Sequence, residues 1–205
     1  MEQKLARLEL HHGPGFGDHG SRVAVLCHAL AGYLGLIQRE TDRLVMAAFI
    51  HDIGKTGIDP SILEKSSDLS ADEMELVRQH PEVGYKQLLE VTHPSVAEAV
   101  LCHHERWDGN GFPNGLKAGE IPRYARIIFL ADAYDVMTTG RTYRPRMTQT
   151  QAGQELTRLA EKQFDPRLVD AFASLSHELL MPPLVQFPSH QKRESNNRPL
   201  RANPL

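Results

Sequence analysis

The chain has 205 residues, a formal charge of −3 from 23 Lys and Arg against 26 Asp and Glu, and eleven histidines, many for its length. That balance gives no overall basic field for a nucleic-acid polymer or an anionic membrane, so an anionic ligand has to be held by local chemistry. Two cysteines, Cys27 and Cys102, in no Cys-x-x-Cys unit, exclude a disulfide scaffold and a zinc ribbon. The length suffices for one domain whose core needs no metal staple, so a metal in this chain is expected to be catalytic.

Met1-Glu2-Gln3-Lys4-Leu5-Ala6 shows no apolar targeting stretch, and the longest apolar run, residues 44–50, falls short of the ~20 residues of a membrane span. The expectation is a cytoplasmic protein. Residues 1–18 read as a lead-in broken by Gly13, Pro14, Gly15 and Gly17. Val23, Leu26, Leu30 and Leu34 recur at three and four and predict a helix over 19–36, with Gly35 near its stop. A second helix opens at Thr41 and runs to His51-Asp52-Ile53-Gly54, with Gly54 as its C-terminal breaker. Residues 59–63 form a single turn. Ser70-Ala71-Asp72-Glu73 is a capping box that starts a third long helix. Pro81 interrupts it, so His80 projects from the joint.

A helix from about 94 to 105 ends in His103-His104 and is followed by turn formers over 108–115. Residues 121–138 are helical and apolar all round at 127–131, hence central. Two amphipathic helices follow, roughly 150–160 and 165–180. The last 24 residues, 182–205, hold five prolines and a net charge of +3 and read as a disordered basic tail. No stretch alternates with period two and no repeat is visible. The fold class is all-α, a single-domain helical bundle over 19–181.

His51-Asp52 and His103-His104 are two pairs of ligand-type residues, each at a helix end. Helix neighbours diverge by about 100° and do not face each other, so such pairs flank two ions more readily than one. Asp52, the only carboxylate in the pairs, is the natural bridge. His80 and Asp132 complete the set, since a carboxylate following an apolar run is costly unless a cation neutralises it. For Asp132 a salt bridge to Arg126 or Arg141 is the competing role. Imidazole and carboxylate without thiolate suit iron, manganese or zinc hydrolytic centres. His11, His12, His28, His93, His177 and His190 are assigned to the background.

Several segments together resemble the HD-GYP family, a branch of the HD phosphohydrolases: His51-Asp52-Ile53-Gly54-Lys55, Ile62-Leu63-Glu64-Lys65, His80-Pro81-Glu82-Val83-Gly84, His103-His104-Glu105-Arg106-Trp107-Asp108-Gly109-Asn110-Gly111-Phe112-Pro113, and Arg126 through Asp132 to Arg141-Thr142-Tyr143-Arg144. The resemblance covers about residues 19–172. It implies a helical bundle of the HD phosphohydrolase type that holds two or three metals and hydrolyses cyclic di-GMP to pGpG or GMP. Three departures stand out: Phe112 where the family has tyrosine, Lys65-Ser66-Ser67 where relatives usually have Lys-Pro-Gly, and Gly15 where members with a third metal have Glu. A glycine offers no ligand, so two ions are expected, iron or manganese foremost, with zinc, nickel or magnesium as alternatives.

In this reading His19, His51, Asp52 and Asp132 hold one ion, and Asp52 with His80, His103 and His104 holds the other. A metal-bridging hydroxide attacks phosphorus. Lys55 contacts a phosphate oxygen, and Arg141 and Arg144 position the second phosphate. Asp135, one turn after Asp132, backs the site or contacts substrate, while Phe112 packs or stacks on a base. No sensor domain is visible, so regulation is expected from a protein partner such as a diguanylate cyclase or a sensor, from expression, or from the substrate itself. Two rival readings are a catalytically weak binding or scaffolding module, which Phe112 favours, and a phosphodiesterase for another cyclic dinucleotide such as cyclic GMP-AMP.

Overall fold

A computed structural model describes residues 16–65, 67–139 and 146–175. Arg141, Arg144, Gly15, Ser66, His11, His12, His177, His190, most of the lead-in and the tail lie outside them. The described chain is helical, and its sole strand-like feature is an isolated bridge between Ala160 and Phe164. No helix among the described residues is long and apolar enough to cross a membrane.

Helix α1 (Phe16–Tyr33) starts three residues earlier than its periodicity suggests. It ends as Gly35 indicates: with φ of +66°, Gly35 donates to the Gly32 carbonyl at 3.2 Å while Leu36 donates to Ala31 at 3.0 Å, which closes the last turn. Helix α2 (Gln38–Phe49) likewise begins three residues before Thr41, because the Glu40 carboxylate accepts from the Ile37 N–H at 3.3 Å and completes a first turn without a polar cap. It stops at Phe49, so His51 and Asp52 lie in the turn leading to a 3₁₀ helix over Ile53–Gly57.

Gly54 is therefore not a C-terminal breaker. Its φ is not positive, and it lies inside the 3₁₀ helix. Its role is close packing: a Cβ there would collide with the His80 carbonyl oxygen and come within 2.6 Å of the Gly84 nitrogen.

The short α3 (Pro60–Leu63) is capped by Asp59. Ser70 and Glu73 form the expected capping box at the start of α4 (Ala71–Arg78), at 3.2 and 2.7 Å. Gln79 is the joint, and His80 is the first residue of α5 (His80–Leu88) rather than a residue in the break. Pro81 sits in the first turn, where its missing N–H is tolerated. Helix α6 (Pro94–Cys102) is capped by the background residue His93 and ends just before His103-His104. Helix α7 (Arg123–Thr139) is central, with Ile127, Ile128, Leu130 and Ala131 fully buried. Thr148 starts α8 (Gln149–Arg158), and Asp165 caps α9 (Pro166–Ser174).

The main core joins α1, α2, α7, α8 and α9 through Val23, Leu30, Leu44, Ile128, Leu156 and Phe172. A smaller cluster of Ile53, Leu88, Ala97 and Val100 ties the 3₁₀ helix, α5 and α6 together. His51 and Asp52 leave α2 between the two clusters, so both packings fix their position.

Candidate metal centre

Three histidines are set by one local device. His51 Nδ1 lies 2.7 Å from the Ala48 carbonyl oxygen, His80 Nδ1 2.7 Å from Val77, and His103 Nδ1 2.7 Å from Val100. Each partner is the carbonyl three residues back, at or near the end of the preceding helix, where carbonyls lack helical donors. A carbonyl only accepts, so Nδ1 carries the proton and Nε2 presents a lone pair.

Those lone pairs converge. His80 Nε2 and His103 Nε2 are 3.2 Å apart, and Asp52 Oδ1 is 3.3 Å from the first and 3.8 Å from the second. Asp52 Oδ1 is buried and accepts no hydrogen bond. Acceptors aimed at one another in a buried place repel unless a cation lies among them. The donor set fits a divalent ion: one atom each of Asp52, His80, His103 and His104 falls within a mutual 4.8 Å. His19, His51 and Asp132 form a second such group. His51 Nε2 is 3.6 Å from Asp52 Oδ2, so Asp52 adjoins both groups.

Charge follows the geometry. Burial drives His103 well below the ordinary imidazole range, and burial, with His80 second, takes His104 down to about 3. Burial opposes the charge on Asp52 as well, but Lys55 and His51 hold its carboxyl well below the usual range. Burial would also lower His19, yet its hydrogen bonds to Asp132 and Asp135 raise it to about 9.

Asp135 lies behind His19. Its Oδ2 is 2.7 Å from His19 Nδ1, and Arg22 donates to both of its oxygens at 2.6 and 3.0 Å. It is 3% exposed with both oxygens engaged, which corrects its placement among substrate contacts. It orients the imidazole whose other nitrogen sits 3.2 Å from Asp132. Arg126 pairs with Asp165 at 2.6 Å rather than with Asp132, which removes Arg126 from that competing role, while Arg141 lies outside the described residues.

The HD domain family matches residues 5–168. The chain belongs to the HD domain family. It is 37% identical over 164 residues to a cyclic di-GMP phosphodiesterase of Thermotoga maritima, covering 78% of this chain and 45% of that protein. It is 36% identical over 161 residues to the 3′3′-cGAMP-specific phosphodiesterase 2 of Vibrio cholerae, covering 75% and 30%. The chain thus spans less than half the length of either relative. The fold matches that of an HDG"Y"P protein from Bdellovibrio bacteriovorus with a TM-score of 0.63, at 22% identity, over 77% of this chain and 51% of that one. Its motifs and these relatives place the HD domain in the HD-GYP branch.

The loop that follows His104 in this HD domain is anchored by a residue to which sequence reasoning gave no role. Glu105, 1% exposed, accepts from the Asn114 and Leu116 backbone N–H groups at 2.7 and 3.0 Å. Gly111 passes so close to the preceding chain that a Cβ would come 2.6 Å from the His104 carbonyl oxygen. Phe112 is thereby laid on His104, with ring centroids 4.8 Å apart and planes at 23°. Its ring packs on an imidazole of the centre. Lys55 Nζ lies 2.6 Å from Asp52 Oδ2, beside the centre as the motif implies. Arg22 was discoverable, since it stands one helical turn after His19. Glu105 had only its adjacency to the histidine pair as a signal.

Proposed function

We propose that this HD domain is a metal-dependent phosphodiesterase that opens a cyclic dinucleotide, cyclic di-GMP first, to pGpG or GMP. One observation carries the reading: imidazole lone pairs and an unbonded buried carboxylate oxygen converge beside a second histidine–carboxylate group. The names of the two relatives support the substrate class. Divalent ions, iron or manganese foremost, supply Lewis acidity and an acidified water when bound by His19, His51, Asp132, Asp52, His80, His103 and His104.

The protein's own residues do the rest. Hydrolysis puts the water oxygen on phosphorus, breaks the P–O3′ bond and leaves a proton on the 3′-oxygen. Lys55, held on Asp52, places an ammonium where charge grows on the phosphate oxygens. Asp135 and Arg22 fix the orientation of His19, and Glu105 fixes the loop bearing Phe112. Arg141 and Arg144 remain proposed substrate-binding residues.

Phe112 favours a second reading, a binding module with weak turnover, since the ring on His104 lacks a hydroxyl. Protein loaded anaerobically with Fe(II) or Mn(II) is expected to linearise cyclic di-GMP, and His51→Ala and Asp52→Ala to abolish this and release metal. Metal-replete protein that binds the nucleotide without forming pGpG or GMP would overturn the catalytic reading. Preferential cleavage of cyclic GMP-AMP would reassign the substrate.

A further inference from the structure

Arg78 ends α4, two residues before His80, and is exposed. Its guanidinium carbon lies 5.8 Å from the centroid of the Phe112 ring, and that ring stacks on His104. A cation, a phenyl ring and an imidazole of the metal centre therefore stand in sequence at one place. Glu75 stands one turn before Arg78 on α4 and Glu82 lies in the first turn of α5, yet no carboxylate among the described residues comes within ion-pair distance of Arg78. The other cations near the centre are committed: Lys55 to Asp52 at 2.6 Å, and Arg22 to the buried Asp135 through two hydrogen bonds.

A guanidinium over a ring is steadied through its face, which leaves the N–H groups at its edge free to donate. Those N–H groups form a planar fork that matches two oxygens of a phosphate.

We infer that Arg78 is a substrate-binding residue, whose guanidinium, steadied over Phe112, grips the phosphodiester of the cyclic dinucleotide that is not being cleaved. The inference rests on the proposed phosphodiesterase reading. A cyclic dinucleotide bears two phosphates, and when one faces the histidine–carboxylate groups the other needs a cation beyond them. Phe112 thus has a purpose without its hydroxyl: it is the platform for Arg78.

The test compares Mn(II)-loaded wild type, Arg78→Ala, Arg78→Lys and Phe112→Leu on cyclic di-GMP and on bis(4-nitrophenyl) phosphate, a diester with a single phosphate. Metal content is measured alongside, as is equilibrium dialysis of pGpG. Losing a bidentate phosphate contact should raise KM for cyclic di-GMP and weaken pGpG binding about tenfold or more. For Arg78→Ala and Arg78→Lys the kcat, the turnover of the one-phosphate diester and the metal content should stay within about twofold of wild type. Arg78→Lys should recover only part of the loss, and Arg78→Ala should add little in a Phe112→Leu background.

An unchanged KM and unchanged pGpG binding overturn the inference. So does a parallel fall in metal content and in turnover of both substrates, which marks a merely structural contact. If the wild type cleaves no cyclic dinucleotide, the functional reading fails separately, and pGpG dialysis still decides whether Arg78 grips phosphate.

Discussion

Glu105→Gln is the most direct test of how the Phe112 loop is held. Both oxygens of the buried Glu105 carboxylate accept backbone N–H groups, from Asn114 at 2.7 Å and Leu116 at 3.0 Å. Glutamine keeps the shape but retains one acceptor, and turns an NH₂ toward the other N–H, donor against donor. A hydrogen bond to a charged group contributes ~1.5–3 kcal/mol, so losing one and weakening the other should cost about 2–3 kcal/mol. That is a large part of the ~5–15 kcal/mol that holds a domain folded. Urea unfolding followed by circular dichroism measures the loss as a lower midpoint at constant slope. The chain's one tryptophan, Trp107, lies two residues after Glu105 and reports the loop by its fluorescence. Because the loop lays Phe112 on His104, weaker metal retention should accompany the lower midpoint. A Glu105→Gln protein within ~0.5 kcal/mol of wild type, with unchanged Trp107 emission, would refute the anchoring role.

Three other outcomes follow from the same geometry. Asp135→Asn keeps the volume but weakens the orientation of His19, so metal affinity at the His19, His51 and Asp132 group should fall roughly ten- to hundredfold, read by metal titration, with the Asp52, His80, His103 and His104 group retained. Gly54→Ala pushes a methyl into the His80 backbone and should destabilise by at least ~1–3 kcal/mol, with reduced metal content by elemental analysis. Chelation should lower the unfolding temperature, since free metal at 100 times its Kd adds about 2.7 kcal/mol to stability, and Asp52→Ala should abolish that dependence.

Much of this protein was legible residue by residue. Ser70 with Glu73, Gly35 and the helix break just ahead of Pro81 mark local events, although the break falls at Gln79 and not at His80, because capping and turn geometry depend on a few neighbouring backbone groups. The apolar run before Asp132 announced a central helix. Element ends were less legible where an atypical first turn intervened, as at Ile37 with Glu40. Gly54 was misread because a glycine placed by close contact looks, in sequence, like one placed by a turn.

By itself the sequence determined the donor chemistry: which imidazoles and carboxylates exist, that thiolates play no part, and which residues sit beside one another on a helix. Only the tertiary structure decided how those donors face each other. The rotation of α5 and α6 about the 3₁₀ helix is set by packing among Ile53, Leu88, Ala97 and Val100, and it brings His80 and His103 to 3.2 Å. The main core, which packs α1, α7 and α9 together, brought Asp135 onto His19 and Arg126 to Asp165, while Arg78 came to lie over Phe112. Periodicity records the face of one helix, whereas a site is made by the angles between helices, and those follow from side chains scattered along the whole chain.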